Sequence, residues 1–285
     1  MSIELSPVVA AVARGTDRFS VKSINLEALG HPVSPLQVLD DFRVRGQPFG
    51  PHPHAGFAAV TYVFEDSAGR LRSRDSLGHD LVVGPGGMVW SHAGSGMLHE
   101  ELPADLRQEL HGLQFFVNLS SKNKLSEPCV MQLLAADVPE WRSDSGDRVR
   151  VVVGNYAERW SPLVPVEPFN MLDVELRNEL EFDVRAGHHT VIYAVNGSVT
   201  VGSGSRSQTV TSNHALGIRC SADGRLNVSA RGPSRFLVLA GADIREPVVS
   251  EGPFIMNDYE QIEAAVSRYE SGAMGRLAPA PRNPA

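Results

Sequence analysis

Short runs of β-branched and aromatic residues, separated by Gly, Pro or Asn, recur along most of this chain and constrain its fold. Residues 57–64 (FAAVTYVF) follow a turn-prone stretch at 51–56, and residues 113–119 (LQFFVNL) are apolar at alternate positions. Closely spaced strands of this kind indicate a sandwich or a barrel. The 26 glycines and 19 prolines among 285 residues favour turns over long helices. We therefore predict an all-β protein.

The second half of the chain repeats this rhythm. Residues 190–195 (TVIYAV) predict a strand, Asn196 and Gly197 a hairpin turn, and residues 198–202 the returning strand. Further strands are predicted at residues 180–184, 216–220, 226–230 and 235–240. Two halves of similar strand rhythm indicate a duplicated barrel.

A proline-rich stretch separates the two halves. Residues 161–169 (SPLVPVEPF) cannot form an interior strand or helix, because proline lacks the amide donor and disfavours the α region before it. We divide the chain into an N-terminal domain (1–135), a linker with crossing strands (136–170) and a C-terminal domain (171–285).

The last segment predicts a helix on the C-terminal domain. Asn257 is placed at the N-cap, Glu260 lies three residues further on, and Gly272 ends the pattern. Apolar residues at helical spacing lie between them: Ile262, Ala265, Val266 and Tyr269. We expect this helix to pack against the outside of a barrel.

Charge and cysteine usage exclude several classes of function. The net charge is −7 without a cluster of Lys or Arg, so we expect no direct binding of nucleic acid. No uncharged apolar run approaches the roughly 20 residues of a membrane helix, and residues 1–14 do not resemble a signal peptide. Cys129 and Cys220 predict free thiols in a reducing compartment. We expect a soluble, cytoplasmic protein with no membrane contact.

Two histidine-containing pairs carry the chemistry. In an extended strand, residues i and i+2 point to the same side, so His52 and His54 project two imidazoles into one space. His99 and Glu101 have the same spacing, whereas Glu100 would face away from His99. Two such strands side by side offer three imidazoles and one carboxylate. This set suits one divalent transition metal and leaves positions for water or substrate.

The other histidines give weaker signals. His79 and His92 are candidates for orienting a ligand imidazole, although a lone histidine more often has a purely structural role. His188 and His189 are adjacent and would face opposite sides of a strand, and His214 stands alone. We therefore expect no metal in the second half. Phe57, Trp90 and Met97 either line the metal cavity or belong to the core.

Several segments together resemble the pirin family of bicupins, most densely in residues 40–130. They are PHPHAGF (51–57), DSLGHD (75–80), GPGGMVW (84–90), AGSGMLHEELP (93–103), GLQFFVNL (112–119) and REPVVSEGPFIMN (245–257). The resemblance implies two double-stranded β-helix (jelly-roll) barrels. It also implies metal ligands at His52, His54, His99 and Glu101. A general cupin has a Glu shortly after its H-x-H motif, but Ala58 and Ala59 occupy those positions here.

Two functions are compatible with this resemblance. Some pirins are similar to quercetin 2,3-dioxygenases, which implies iron(II) and a flavonol substrate, with Glu101 as the catalytic group that accepts the substrate proton. Other pirins are similar to redox-sensitive regulators of a protein partner, which are not enzymes. The same ligands would accept manganese, cobalt, nickel, copper or zinc.

Overall fold

The computed structural model describes residues 3–31, 33–47, 49–278 and 280. The strands of the first half are β1 (Ile3–Ala10), β2 (Val12–Gly15), β3 (Phe19–Ser23), β4 (Leu36–Val44), β5 (His52–His54), β6 (Phe57–Val63), β7 (Leu71–Asp75), β8 (Asp80–Val83), β9 (Met88–His92), β10 (Met97–Pro103), β11 (Leu110–Asn118) and β12 (Cys129–Leu133). Those of the second half are β13 (Glu140–Arg142), β14 (Arg148–Val153), β15 (Asn155–Tyr156), β16 (Arg159–Trp160), β17 (Phe169–Leu176), β18 (Glu179–Val184), β19 (His188–Asn196), β20 (Ser198–Ser203), β21 (Arg206–Thr211), β22 (His214–Cys220), β23 (Gly224–Ala230), β24 (Ser234–Ala242), β25 (Val249–Glu251) and β26 (Phe254–Met256). The α-helices are α1 (Ser121–Lys124) and α2 (Tyr259–Glu270), and Leu26–Leu29 and Ala135–Asp137 form 3₁₀ turns.

One compact unit, here called the N-terminal unit, comprises residues 13–21, 38–136 and the described part of 244–285. Its larger sheet has the order β12-β9-β6-β11-β4-β3-β2, and its smaller sheet has the order β5-β10-β7-β8. Every residue of β6 is buried, which explains why this strand reads as a continuous apolar run. Part of the apolar core consists of Val44, Val63, Leu71, Val83, Val89 and Leu110.

The other compact unit, here called the C-terminal unit, comprises residues 3–12, 22–37 (Pro32 is not described) and 137–243. It too has a seven-stranded sheet, of order β1-β22-β19-β24-β17-β14-β13, and a four-stranded sheet, of order β18-β23-β20-β21. In β18 the burial alternates, with Leu180, Phe182 and Val184 inside and charged residues outside. The predicted all-β architecture of two barrels is confirmed.

Neither compact unit is continuous in sequence, and the division at 135 and 171 stays a prediction. Strand β1 pairs antiparallel with β22 and so completes the sheet of the C-terminal unit. Helix α2 belongs to the N-terminal unit, because Ile262 and Ala265 pack in one apolar cluster with Ala55. The predicted linker residues 137–170 contain strands of the C-terminal unit.

Helix α2 is confirmed, but its N-cap lies one residue later than predicted. Asp258, not Asn257, is the N-cap, and its side chain accepts a hydrogen bond from the amide of Gln261. The amide of Asn257 instead donates to Gln261 Oε1 at 3.0 Å. Gly272, with φ of 77°, follows the helix as predicted. Among the described residues, no helix is both long and apolar enough to cross a membrane.

Strand β1 shows why the sequence did not predict the first strands. Pro7 lies in this strand, where a proline argues against a central strand. However, β1 is at the edge of its sheet, and its register with β22 shifts between Leu5 and Val8. An edge position with a bulge tolerates the missing amide donor.

Candidate metal centre

Strands β5 and β10 bring the two histidine pairs of the sequence together. They pair antiparallel, with His52 opposite His99 and His54 opposite Met97. Paired residues of adjacent strands project to the same face, so the imidazoles of His52, His54 and His99 share one side of the small sheet. On that side, the ring of His54 lies 5.0 Å from Phe57 and 5.6 Å from Phe116, between their centroids.

The three imidazoles converge through their Nε2 atoms. His99 Nε2 lies 2.9 Å from His54 Nε2 and 3.1 Å from His52 Nε2. The ligand atoms of all three residues lie within 4.8 Å of one another. Two nitrogens held at right angles by one cation, each about 2.1 Å from it, are about 3.0 Å apart. Two of the three separations are therefore short enough for one metal ion to hold both nitrogens, and these residues would supply it with imidazole ligands.

The surroundings of His52 favour the tautomer that a metal requires. Its Nδ1 lies 2.9 Å from the carbonyl oxygen of Gly50, which can only accept a hydrogen bond. In the neutral ring Nδ1 therefore carries the proton, and the lone pair is on Nε2, which faces the other two imidazoles. This is how a ligating histidine is usually oriented.

Burial keeps the other two imidazoles uncharged. His54 is 6% and His99 1% exposed. Burial, with a smaller effect of His52, lowers the pKa of His54 to about 3. Burial, followed by the neighbouring His54 and His52, also places the pKa of His99 well below its ordinary value. Neutral imidazoles have the free lone pairs that a divalent metal needs, so the residues present fit a metal ion.

Glu101, the fourth predicted ligand, lies on the same strand but is not part of the histidine group. Its Oε2 accepts a hydrogen bond from Thr61 Oγ1 at 2.6 Å and a longer one from Gln114 Nε2 at 3.4 Å. Burial raises the pKa of Glu101 to about 7, against the opposing effect of the Thr61 hydroxyl. The structure thus brings together three of the four predicted ligands, and Glu101 remains a predicted ligand.

Comparison with known proteins now identifies the family. The sequence profile of the family named Pirin matches residues 14–117, and that of the Pirin C-terminal cupin domain matches residues 171–275. The chain belongs to the pirin family. Human pirin is 31% identical over 258 residues, which cover 87% of each chain.

Two further pirin relatives carry the name of an enzyme. A protein of Pseudomonas aeruginosa named "Putative quercetin 2,3-dioxygenase PA3240" is 32% identical over 252 residues, covering 84% of this chain and 86% of its own. The crystal structure of a quercetin 2,3-dioxygenase from Acinetobacter baumannii superposes with a TM-score of 0.85 at 25% identity. It covers 98% of this chain and 100% of the other. The bicupin fold expected of a pirin is therefore confirmed.

The rival carboxylate, Glu100, has a structural role in this pirin. It is fully buried and receives hydrogen bonds from Arg74 at 2.9 Å and from the amide of Ala280 at 2.9 Å. Gln47 Nε2 donates to its other oxygen at 2.5 Å. Because neighbouring residues of a strand face opposite sides, these contacts agree with the choice of Glu101 over Glu100 as the residue on the His99 side.

Lys124 supports the histidine strand and was not predicted from the sequence. This lysine is 1% exposed, and its Nζ donates to the carbonyl oxygens of Gly56 at 2.9 Å and Ile255 at 3.1 Å and to Asn118 Oδ1 at 2.7 Å. Gly56, two residues after His54, has φ of 83°, and a Cβ there would lie 1.9 Å from the carbonyl oxygen of Ile255. Only glycine permits this close approach.

The remaining candidates from the sequence have other neighbours. His79 contacts Asp75 at 2.8 Å, and His92 contacts Ser126 at 2.8 Å. The ring of Trp90 packs edge-on against Phe115, and both residues are paired with Val60 rather than with Thr61. Trp90 therefore lies on the opposite face of its sheet from Thr61, whereas the ring of Phe57 packs against His54.

Histidines of the C-terminal unit do not form a comparable group within the described residues. His189 Nδ1 lies 3.1 Å from the carbonyl oxygen of Ser34 and 3.8 Å from Asp243 Oδ1. The ring centroids of His189 and His31 are 6.2 Å apart. Whether this unit binds a metal in solution stays a prediction from the sequence.

Proposed function

We propose that this pirin is a metal-dependent dioxygenase that opens the ring of quercetin-like flavonols. The observation that carries the proposal is the convergence of three imidazoles, with Nε2 atoms 2.9 and 3.1 Å apart, two of which burial keeps neutral. The names of the similar proteins from Pseudomonas and Acinetobacter support this choice of substrate class.

His52, His54, His99 and Glu101 are the proposed ligands of one divalent transition metal, with iron(II) as the first candidate. Such an ion supplies Lewis-acid activation of a substrate oxygen and one-electron chemistry with O₂. All three imidazoles offer Nε2 as the donor atom, so the proposed ion would have three chemically equivalent nitrogen ligands from this chain. Manganese, cobalt, nickel, copper and zinc remain chemically compatible with it.

Glu101 is the proposed proton acceptor. Its raised pKa of about 7 is suited to taking the proton of a flavonol hydroxyl near neutral pH and returning it later. Phe57 and Phe116, whose ring centroids are 4.5 Å apart beside His54, supply an apolar wall. This wall keeps bulk water from the reacting atoms.

Aerobic O₂ uptake with a panel of flavonols tests the proposal directly. The protein reconstituted with iron(II) should consume O₂ only when a flavonol is present. Glu101→Gln should abolish this uptake while part of the metal stays bound, because the three imidazoles remain. Turnover by Glu101→Gln equal to the parent protein would contradict the assigned proton acceptor.

A regulatory metalloprotein that binds a protein partner is the competing function. Human pirin, which is similar over most of the chain, has a name that states no activity. If the iron-loaded protein binds metal but consumes no flavonol of the panel, the dioxygenase proposal fails. Affinity capture with the iron(II) and iron(III) forms would then test partner binding. A redox-dependent difference in captured proteins supports the regulatory function.

A further inference from the structure

Thr61 is the one polar side chain in the middle of the buried run of β6. It is 1% exposed, and a hydroxyl so deeply buried needs a hydrogen-bond partner to offset its loss of water. That partner is Glu101 Oε2, 2.6 Å away on a strand of the other sheet. The contact therefore connects the two sheets of the N-terminal unit beside the histidine cluster.

Gln114 adds a second donor from the neighbouring strand. It is paired with Thr61 in the antiparallel register of β6 and β11, so the two side chains project to the same face. Its Nε2 reaches the same atom, Glu101 Oε2, at 3.4 Å. Within the described residues, both hydrogen bonds to this carboxylate go to Oε2, and Oε1 accepts none.

We propose that Thr61, assisted by Gln114, is a positioning residue that anchors Glu101 by Oε2 and reserves Oε1 for a metal ion or a substrate proton. This inference rests on the metal centre proposed above. A glutamate has three rotatable side-chain bonds, and ordering them has an entropic cost. A carboxylate that is already held by hydrogen bonds has lost this side-chain entropy before the metal binds.

The anchor also limits what Glu101 can do. With Oε2 engaged by two donors, a single oxygen is available, so the carboxylate serves as a ligand through one atom rather than two. The same oxygen cannot bind a metal ion and receive a proton at once. Thr61 thus makes the two roles proposed for Glu101 mutually exclusive.

The affinity of the metal-free protein for Co(II), measured by competition with a chelating dye, tests this anchor without any turnover. Thr61→Val, which keeps the shape and removes the donor, should weaken Co(II) binding about tenfold, within the range for outer-shell partners of a metal site. Thr61→Ser should bind within about twofold of the parent protein, because the hydroxyl is retained. The visible spectrum of bound Co(II) should change in Thr61→Val and not in Thr61→Ser.

A double-mutant cycle separates positioning from packing. In a Glu101→Leu background, Thr61→Val should have no further effect on Co(II) affinity, because the residue through which it acts is gone. An equal loss in both backgrounds would overturn the inference. Thr190→Val, the same change at a buried threonine of the C-terminal unit, is the matched control and should leave the affinity unchanged.

A second variant keeps the test decisive if Thr61→Val does not fold. Gln114→Leu removes the weaker donor and should weaken Co(II) binding by less than Thr61→Val does, again only when Glu101 is present. Parent-like affinity and spectrum in Thr61→Val, or in Gln114→Leu where Thr61→Val does not fold, would refute the anchor while leaving the metal centre intact. Failure of the parent protein to bind Co(II) would instead refute the metal centre, and the anchor with it.

Discussion

The two units place different residues on equivalent strands. In the order of the small sheets, β5 and β10 of the N-terminal unit take the places of β18 and β23 in the C-terminal unit. The first pair carries His52, His54 and His99. At the corresponding places, Leu180 lies opposite Val228 and Phe182 opposite Leu226, and all four are in one apolar cluster.

The interior of a barrel of this fold is therefore filled in two different ways in the two units. An interior of interlocking apolar side chains contributes to folding stability through burial. An interior that contains imidazoles and a carboxylate loses much of that contribution, because buried polar groups must be satisfied or coordinated. We therefore expect the C-terminal unit to be sensitive to cavities and the N-terminal unit to be sensitive to metal.

Phe182→Ala should produce the largest loss of stability. Phe182 is 4% exposed and its ring packs 5.4 Å from Tyr156 and 6.0 Å from Phe236, between centroids. The free energy of unfolding should fall by about 3–5 kcal/mol, measured by urea denaturation. Co(II) affinity of the folded variant should remain that of the parent. A large loss of metal affinity without a loss of stability would contradict the expected difference between the two units.

His99→Ala should have the opposite profile. It removes the imidazole that contacts both other rings, so Co(II) affinity should fall by more than about 100-fold. The parent protein should gain about 2.7 kcal/mol of stability at a metal concentration 100 times its Kd, and the variant less than about 0.5 kcal/mol at the same concentration. His188→Ala in the C-terminal unit is the control. Equal metal stabilisation of parent and His99→Ala would exclude this cluster as the site.

The sequence predicted the parts of this comparison that depend on strand periodicity. Alternation in β18 and the continuous apolar run of β6 mark the buried strands, and the spacing of His52 and His54 places both rings on one side. The pairing of these rings with His99 followed from the same rule once the two strands were assumed to be adjacent.

Features that depend on tertiary pairing could not be predicted. Nothing local to Lys124 indicates that it supports the carbonyl oxygen of Gly56, because this acceptor and the carbonyl oxygen of Ile255 come from distant segments. The discontinuity of the units is likewise invisible to local pattern, as β1 finds its partner more than 200 residues away. Thr61 did carry a signal, as a lone polar residue in an apolar strand, but nothing local indicated that Glu101 is its hydrogen-bond partner.

Acid should destabilise the C-terminal unit through Glu140 on β13. Hydrogen bonds and charges from Arg148 and Arg142 lower the pKa of Glu140 from an ordinary 4.5 to about 2. Its contribution should be complete above pH 4.5 and lost as the pH falls towards 2, since the folded protein then has to take up the proton.

Glu140→Gln measures this contribution. The metal-free variant should be about 1–2 kcal/mol less stable at pH 6, after allowance for solvent screening, and the difference should shrink below pH 4. Glu175→Gln is the matched control, because Glu175 also contacts Arg148 but is 52% exposed in its side chain. If the difference grows as the pH falls, the assigned ion pair is wrong.

Asp258→Ala should have the smallest effect on stability. The exchange rates of this variant test whether helix α2 packs in the N-terminal unit. Loss of the N-cap of α2 should cost about 1 kcal/mol and fray the first turn. Since Ile262 packs against Ala55 and Met256, hydrogen exchange should accelerate at the amide of Ile255, which donates to Ala55. Amides of β23 should keep their parent rates, as they should in the surface control Asp183→Ala. Faster exchange in β23 but not at Ile255 would show that the helix packs on the C-terminal unit, as the sequence predicted.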